Sequence, residues 1–235
     1  MTWPFENDTS GIVKRISNRS ISANRKRNIF IVLTIVLASA LLSAIVLYGF
    51  GVMQETQNRN QKTAQIMYHA ISEQQGQELY KQEEIAWVGE FFNAFSEQVN
   101  HSTVNFTYAN ADMLTSQSMP YSGDLPASEN EIVVQESFLD SLGYSNELGQ
   151  TIQIPFSDGT THDFKLTGIL DVKTGDIGRY TAIISKELVR QQYGDEGMID
   201  YYIGLKGAQN MSEEEATNYA NTLAQQLKIS DDNVI

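Results

Sequence analysis

From Ile29 to Met53 the chain reads IFIVLTIVLASALLSAIVLYGFGVM, 25 residues without a charge. At about 1.5 Å of rise per residue, a helix of that length reaches past the roughly 30 Å hydrocarbon core of a bilayer. A surface helix of a globular protein keeps a polar face toward water, and this segment has none, so a transmembrane helix is predicted over 29–53. The competing reading is a cleaved signal peptide, because Arg25-Lys26-Arg27 supplies a basic lead and Ala38-Ser39-Ala40 a small-x-small cleavage pattern. The apolar run continues past that point through Leu41, Leu42, Ile45, Val46 and Leu47, where a signal peptide gives way to polar sequence. An uncleaved anchor fits better.

Charge then sets orientation. Residues 1–28 carry six Lys/Arg against Glu6 and Asp8, a balance of +4, while residues 54–235 carry 10 basic and 27 acidic groups, a balance of −17. Positive flanks stay inside the cell, so the amino terminus is expected in the cytoplasm and residues 54–235 outside, at the plasma membrane. The overall charge of −13 in 235 residues argues against nucleic-acid binding, which needs a basic face to displace counterions from phosphates. With no cysteine in the chain, disulfides, thiolate zinc sites, iron–sulfur clusters and cysteine nucleophiles are excluded.

Residues 8–24 open with the capping types Asp8, Thr9 and Ser10 and place Ile12, Val13 and Ile16 on one flank of a helix, with Lys14, Arg15 and Arg19 elsewhere around it. Such a segment lies at the cytoplasmic interface of the membrane, basic groups toward anionic headgroups and apolar groups toward the acyl chains. A disordered basic leader is the alternative. Within the span, Ser39, Ala40, Ser43 and Ala44 form two interleaved small-xxx-small pairs, the pattern that lets membrane helices pack closely; small residues are also simply common in such helices.

Four segments follow from these boundaries: a cytoplasmic basic stretch over 1–28, the span over 29–53, a helical stalk over 54–61 and an outer domain over 62–235. The outer domain reads as α+β. Thr63–Ile71 alternates like a strand, and Ser72-Glu73-Gln74-Gln75 is a capping box for a helix to about Lys81. Glu84–Phe95 fits helix or strand, and its β-branched and aromatic content, with Thr103–Tyr108, favours two strands. Ala111–Ser128, with Pro120, Gly123 and Pro126, reads as loop or crossover. Strands are predicted at Glu131–Val134, Thr151–Phe156, His162–Val172, Tyr180–Ile184 and Tyr201–Leu205, with a hairpin turn at Ser157–Thr160. Short helices are predicted over Glu136–Leu142, ended by Gly143, and over Lys186–Gln192. A last helix starts at the capping box Ser212–Glu215 and repeats Ala216, Tyr219, Ala220, Leu223 and Leu227 along one face, which should pack on a sheet.

No nucleophile elbow, P-loop, dinucleotide-binding glycine run, calcium loop or HExxH occurs, and no catalytic, cofactor or metal residue is predicted. His69, His101 and His162 fall in separate elements. Ser157 and Asp158 beside His162 resemble a hydrolytic set only on paper, since the hairpin turn already accounts for them. Glu213–Glu215 and Asp231-Asp232 lack the converging oxygens that calcium requires.

Three blocks in order resemble the FtsX-like, or MacB-type, permease family of ABC transporters. The first is the basic stretch running through Asn24-Arg25-Lys26-Arg27-Asn28 into the membrane helix. The second is Leu125–Val134, followed by Leu139–Tyr144 and Leu148-Gly149-Gln150-Thr151-Ile152. The third is Phe164–Leu170, followed by Tyr180–Ser185. The blocks are degenerate singly, and their order behind a membrane helix makes the match. The resemblance implies a MacB-like periplasmic core domain on a non-catalytic permease subunit that acts on a peptide, lipid or lipoprotein-like substrate. It implies two partners: a cytoplasmic ATP-binding subunit, for which Ile12 to Arg19 is the expected contact, and a second permease copy or sister. That family places three further membrane helices after the outer domain, and this sequence stops at Ile235, so either a longer protein is truncated here or the transport role is lost. A single-pass anchored binding or sensor domain is the alternative.

Overall fold

The structure, a computed structural model, describes residues 9–172, 179–194 and 199–235. It divides into two units, Met1–Thr56 and Gln57–Ile235.

In the first unit, α1 (Ser10–Ala23) is separated by Asn24 from α2 (Arg25–Lys62), whose residues from Gln57 on belong to the second unit. The expected side-chain cap is not made: Thr9 holds the N-cap position in helical geometry and its hydroxyl accepts no backbone N–H, while Asp8 lies outside the described residues. Along α2 the segment Arg25–Glu55 is long and apolar enough to cross a membrane, and the window that qualifies it buries nothing against protein. Two of its hydroxyls are satisfied within the helix, Thr34 Oγ1 donating to the Phe30 carbonyl at 2.8 Å and Ser39 Oγ to the Val36 carbonyl at 2.9 Å. That removes the cost of an unpaired polar group in hydrocarbon.

The second unit is built on one nine-stranded mixed sheet. In chain order it contains β1 (Ile66–Tyr68), α3 (Glu73–Leu79), β2 (Ile85–Val99), β3 (Ser102–Ala109), α4 (Ala111–Ser116), β4 (Tyr121–Gly123), β5 (Glu131–Gln135) and α5 (Glu136–Leu142). After these come β6 (Thr151–Pro155), β7 (Thr161–Leu170), β8 (Arg179–Ile184), α6 (Lys186–Tyr193), β9 (Asp200–Leu205) and α7 (Glu213–Leu227). The strand order is β1-β9-β2-β3-β8-β5-β7-β4, with β6 also on β7; β3–β8 and β5–β7 are parallel and the other pairs antiparallel.

Two departures from sequence expectation have physical causes. The first strand is three residues, not nine, because Ala70 turns into the left-handed region at φ +48° and ends it. Ala111–Ser128 is not plain loop: Asn110 Oδ1 accepts the Met113 N–H at 2.9 Å and so starts α4, and Tyr121–Gly123 pairs with Leu170–Gly168 as β4. Within Glu84–Phe95, Ile85–Phe95 is strand as its composition favoured, part of the 15-residue β2, which changes partner from β9 to β3 at Phe91 and carries a bulge between Asn93 and Phe95. Both capping boxes form, Ser72 with Gln75 and Ser212 with Glu215.

Core packing follows the two-residue period of the strands. On β5, Ile132 and Val134 enter one core while Val133 enters another on the opposite face, and on β8 Ala182 and Ile184 divide from Ile183 in the same way. Both faces of this half of the sheet are therefore buried, which is why these strands read as continuous apolar runs. The largest core lies under α5, α6 and the β6–β7 hairpin. A second one, around Tyr68, Leu79, Val88, Ile203, Ala220 and Leu223, joins β1, α3, β2, β9 and α7. The apolar stripe of α7 packs there: Ala220, Leu223 and Ala224 are buried, and Ala216, Tyr219 and Leu227 lie at the margin.

The end of the chain returns to β1. Met67 and Ile235 exchange both backbone hydrogen bonds, at 3.1 and 2.9 Å, and the His69 N–H donates to the Asn233 carbonyl at 2.8 Å. β1 is thus flanked by β9 on one side and by the last residues on the other.

Candidate functional site

The most concentrated polar chemistry of the outer domain lies where the two larger cores meet. Glu90 on β2 shares its strand face with Val88 and is only 4% exposed. Its carboxylate accepts three hydrogen bonds: Tyr80 Oη at 2.9 Å, Tyr108 Oη at 2.6 Å and Lys186 Nζ at 2.9 Å. Lys186 also reaches Glu73 Oε1 at 3.2 Å, and Arg190, one turn further along α6, pairs with the same Glu73 oxygen. Lys186 Nζ stands 5.9 Å from the centroid of the Tyr108 ring, within cation–π range. The cluster therefore balances two carboxylates with two cations and ties α3, packed in one core, to α6, packed in the other.

Local structure aims each group. Ser72 starts α3 one residue before Glu73. Ser185 is fully buried and caps α6 by accepting the Leu188 N–H at 3.1 Å, which fixes Lys186 and Arg190 at i and i+4 on one face. Asn110 holds the backbone beside Glu90, accepting the Glu90 N–H at 3.0 Å and donating to the Val88 carbonyl at 2.8 Å. Burial, reinforced by the Glu90 charge, pushes the phenols of Tyr80 and Tyr108 far above their usual range, so both remain donors. Burial also raises Tyr201, whose hydroxyl, beside the charges of Glu90 and Glu73, has no hydrogen-bond partner among the described residues. Burial raises Glu73 as well, but the hydrogen bonds and charges of Arg190 and Lys186 outweigh it and hold that carboxyl below the ordinary carboxylate range. The shifted groups all move away from neutrality. General acid–base catalysis favours the reverse, and the paired charges act as a clamp between the two helices.

The residues singled out from the sequence lie elsewhere. Ile12, Val13, Lys14, Arg15, Ile16 and Arg19 all fall on α1, with Ile12, Val13 and Ile16 each more than 60% exposed. Seven residues is nearly two helical turns, so Arg19 stands almost over Ile12 and borders the apolar arc instead of opposing it. Ser39, Ala40, Ser43 and Ala44 lie on α2, all exposed.

The histidines are apart. His69 Nδ1 lies 2.6 Å from Asp200 Oδ1, His101 sits at φ +66° in the tight turn between β2 and β3, and His162 stacks on Phe156 at 4.3 Å. Ser157 donates to Glu97 at 2.6 Å, and Asp158 accepts both the N–H and the hydroxyl of Thr160, at 2.8 and 2.6 Å. Turn geometry thus occupies the paper triad. Among the described residues no group of three or more His, Asp or Glu is placed to hold a metal.

Comparison with known proteins gives a consistent picture. Residues 29–221 match the family described as "MacB-like periplasmic core domain". The periplasmic region of MacB from Actinobacillus actinomycetemcomitans is similar over 72% of this chain and 86% of its own, with a TM-score of 0.51 and 12% identity. The extracellular domain of the noncanonic ABC-type transporter YknZ from Gram-positive bacteria is similar over 72% of this chain and 98% of its own, with a TM-score of 0.50 and 11% identity. At such identities the likeness concerns the fold. No curated protein sequence matches.

Proposed function

Because the chain belongs to the MacB-like periplasmic core domain family of ABC transporter permeases, we propose that it is a permease subunit whose outer domain is moved by ATP hydrolysis in a separate cytoplasmic partner. The observation that carries this is the junction of a long, unburied apolar helix with a family domain: α2 runs unbroken to Lys62, four residues before β1 begins with Ile66. Residues 1–28 are cytoplasmic, 29–53 span the bilayer, 54–61 form the stalk and 62–235 lie outside; the charge balance of +4 before the span and −17 beyond it supports this orientation.

In this reading α1 lies at the inner interface. Lys14, Arg15 and Arg19 meet headgroups, and Ile12, Val13 and Ile16 face the acyl boundary and the ATP-binding partner. Ser39, Ala40, Ser43 and Ala44 form the close-approach face of α2 for membrane helices of the same or a second permease subunit. The transported class is a peptide, a lipid or a lipoprotein-like molecule. The clamp around Glu90 keeps the two halves of the outer domain moving as one body, as transmission of a stroke requires.

Replacing Ile12, Val13 and Ile16 together with Asp, in the full chain produced with its ATP-binding partner, is expected to abolish co-purification of that partner while membrane insertion is kept. Undiminished recovery would overturn the assignment of α1. If no ATP-binding subunit co-purifies with the unaltered chain, a single-pass anchored binding domain becomes the better account.

A further inference from the structure

A face of α6 other than the one bearing Lys186 and Arg190 borders a groove of about 270 Å³, set against the β6–β7 hairpin. Its walls are aromatic. Phe164 is buried, Phe95 and Phe156 are half-buried, and the exposed His162 ring covers Phe156 at 4.3 Å between centroids. At the rim stand two exposed carboxylates, Glu129 before β5 and Asp163 on β7, and among the described residues neither Lys nor Arg lines the groove. Glu129 has no hydrogen-bond or ion-pair partner among the described residues, and Asp163 accepts one hydrogen bond, from Gln153 at 3.0 Å. Gln191 and Gln192 line the remaining side from the last turn of α6 with side-chain amides.

The rings and the carboxylates both present negative potential. An aromatic face attracts a cation through its quadrupole, and more strongly where water is partly excluded. The net −17 of the outer segment adds long-range attraction of the same sign. An anion is repelled by the rings and the carboxylates, and a neutral sugar could use the rings and amides but would draw nothing from the two carboxylates. The volume is just under that of small-molecule sites, which start at about 300 Å³, so it suits one or two amino-acid side chains.

We infer that this groove is a binding site for a basic segment of a peptide, with a guanidinium or ammonium held by Glu129 and Asp163 and its apolar stem, or an adjacent aromatic residue, laid against Phe156 and His162. The inference rests on the proposed outward orientation of residues 62–235 and gives the substrate class a place on that domain. The cation selects, and the rings add contact area that tolerates different neighbours.

The test uses the full chain in nanodiscs of zwitterionic lipid, so that the bilayer does not compete for the probe. Acetyl-Phe-Arg-amide and its uncharged near-isostere acetyl-Phe-citrulline-amide are titrated by ligand-observed NMR. Saturable binding of the arginine peptide is expected, at least ten-fold tighter than that of the citrulline peptide. The double variant Glu129→Gln/Asp163→Asn should lose at least ten-fold for the arginine peptide and change little for the citrulline one, and Phe156→Leu should weaken both. Both acidic side chains are exposed, so an unchanged unfolding midpoint confirms that the double variant is folded. Equal affinity for the two peptides, an unaltered Kd in the double variant, or tighter binding of the uncharged disaccharide N,N'-diacetylchitobiose would each overturn the site. Co-purification of the ATP-binding partner is measured separately, so failure of the transport reading and failure of the groove give different results.

Discussion

Lys186 Nζ lies 2.9 Å from Glu90 Oε2, a pair separated by 96 positions in the chain and buried at the junction of two cores, with side-chain exposures of 19% and 6%. Removing the cation leaves a carboxylate in a place where water reaches it poorly. Lys186→Met is expected to destabilise the outer domain by about 3 kcal/mol, the low end for breaking a buried pair because two phenols still donate to Glu90. Glu90→Gln/Lys186→Met should lose less than the sum of the single variants. Urea unfolding followed by Trp87 fluorescence, in a Trp3→Phe background, measures this, and strict additivity would contradict the coupling.

Gly76 in α3 faces the ring of Tyr201, which fills the space a Cβ would take. Glycine to alanine inside an exposed helix normally gains about 1 kcal/mol. Here Gly76→Ala is expected to lose about 1–3 kcal/mol, as overpacking of a close-packed site does. Tyr201→Phe, which removes a buried hydroxyl with no described partner, should be neutral or raise the urea midpoint. A stabilising Gly76→Ala would mean that the helix and the ring separate easily.

Acid should loosen the clamp in a definite window. The Glu73 pKa is lower folded than unfolded, so its contribution is fully present above the unfolded value of about 4.3 and is lost as pH falls through the folded one. Glu131 behaves alike, held down first by the Ala127 N–H, then by the Ser128 N–H and Lys165. The urea midpoint is therefore expected to be flat from pH 7 to about 5 and to decline below about 4.3. Glu73→Gln should lower the plateau and flatten the decline. An unchanged acid slope in that variant would show that Glu73 is not among the groups that titrate with unfolding.

Local signals were legible in the sequence, and long-range ones were not. The apolar run, both serine capping boxes and the Ser157–Thr160 turn depend on neighbours within a few residues, and each of these elements forms. The tight turn at Asn100-His101 escaped notice because it lacks the usual glycine; both residues instead adopt positive φ, +47° and +66°. α4 was hidden in a stretch rich in breakers because its start depends on one side chain, Asn110, whose other contacts belong to β2. The Glu90 clamp was invisible for a different reason. Its members lie on four elements, and nothing in the spacing of Glu73, Glu90, Tyr108 and Lys186 marks them as neighbours until strand order brings β2, β3 and the two helices together.

The pairing of Met67 with Ile235 bears on how the outer domain would carry mechanical load under the proposed function. β1 begins within a few residues of the entering helix, and hydrogen bonds from β9 and from the last residues hold it along both edges. A pull delivered at Lys62 along that strand would strain those bonds together in shear, where they share the force, instead of peeling them apart one by one. A strand of only three residues can then serve as a firm point of attachment, because its strength comes from being held on two sides at once.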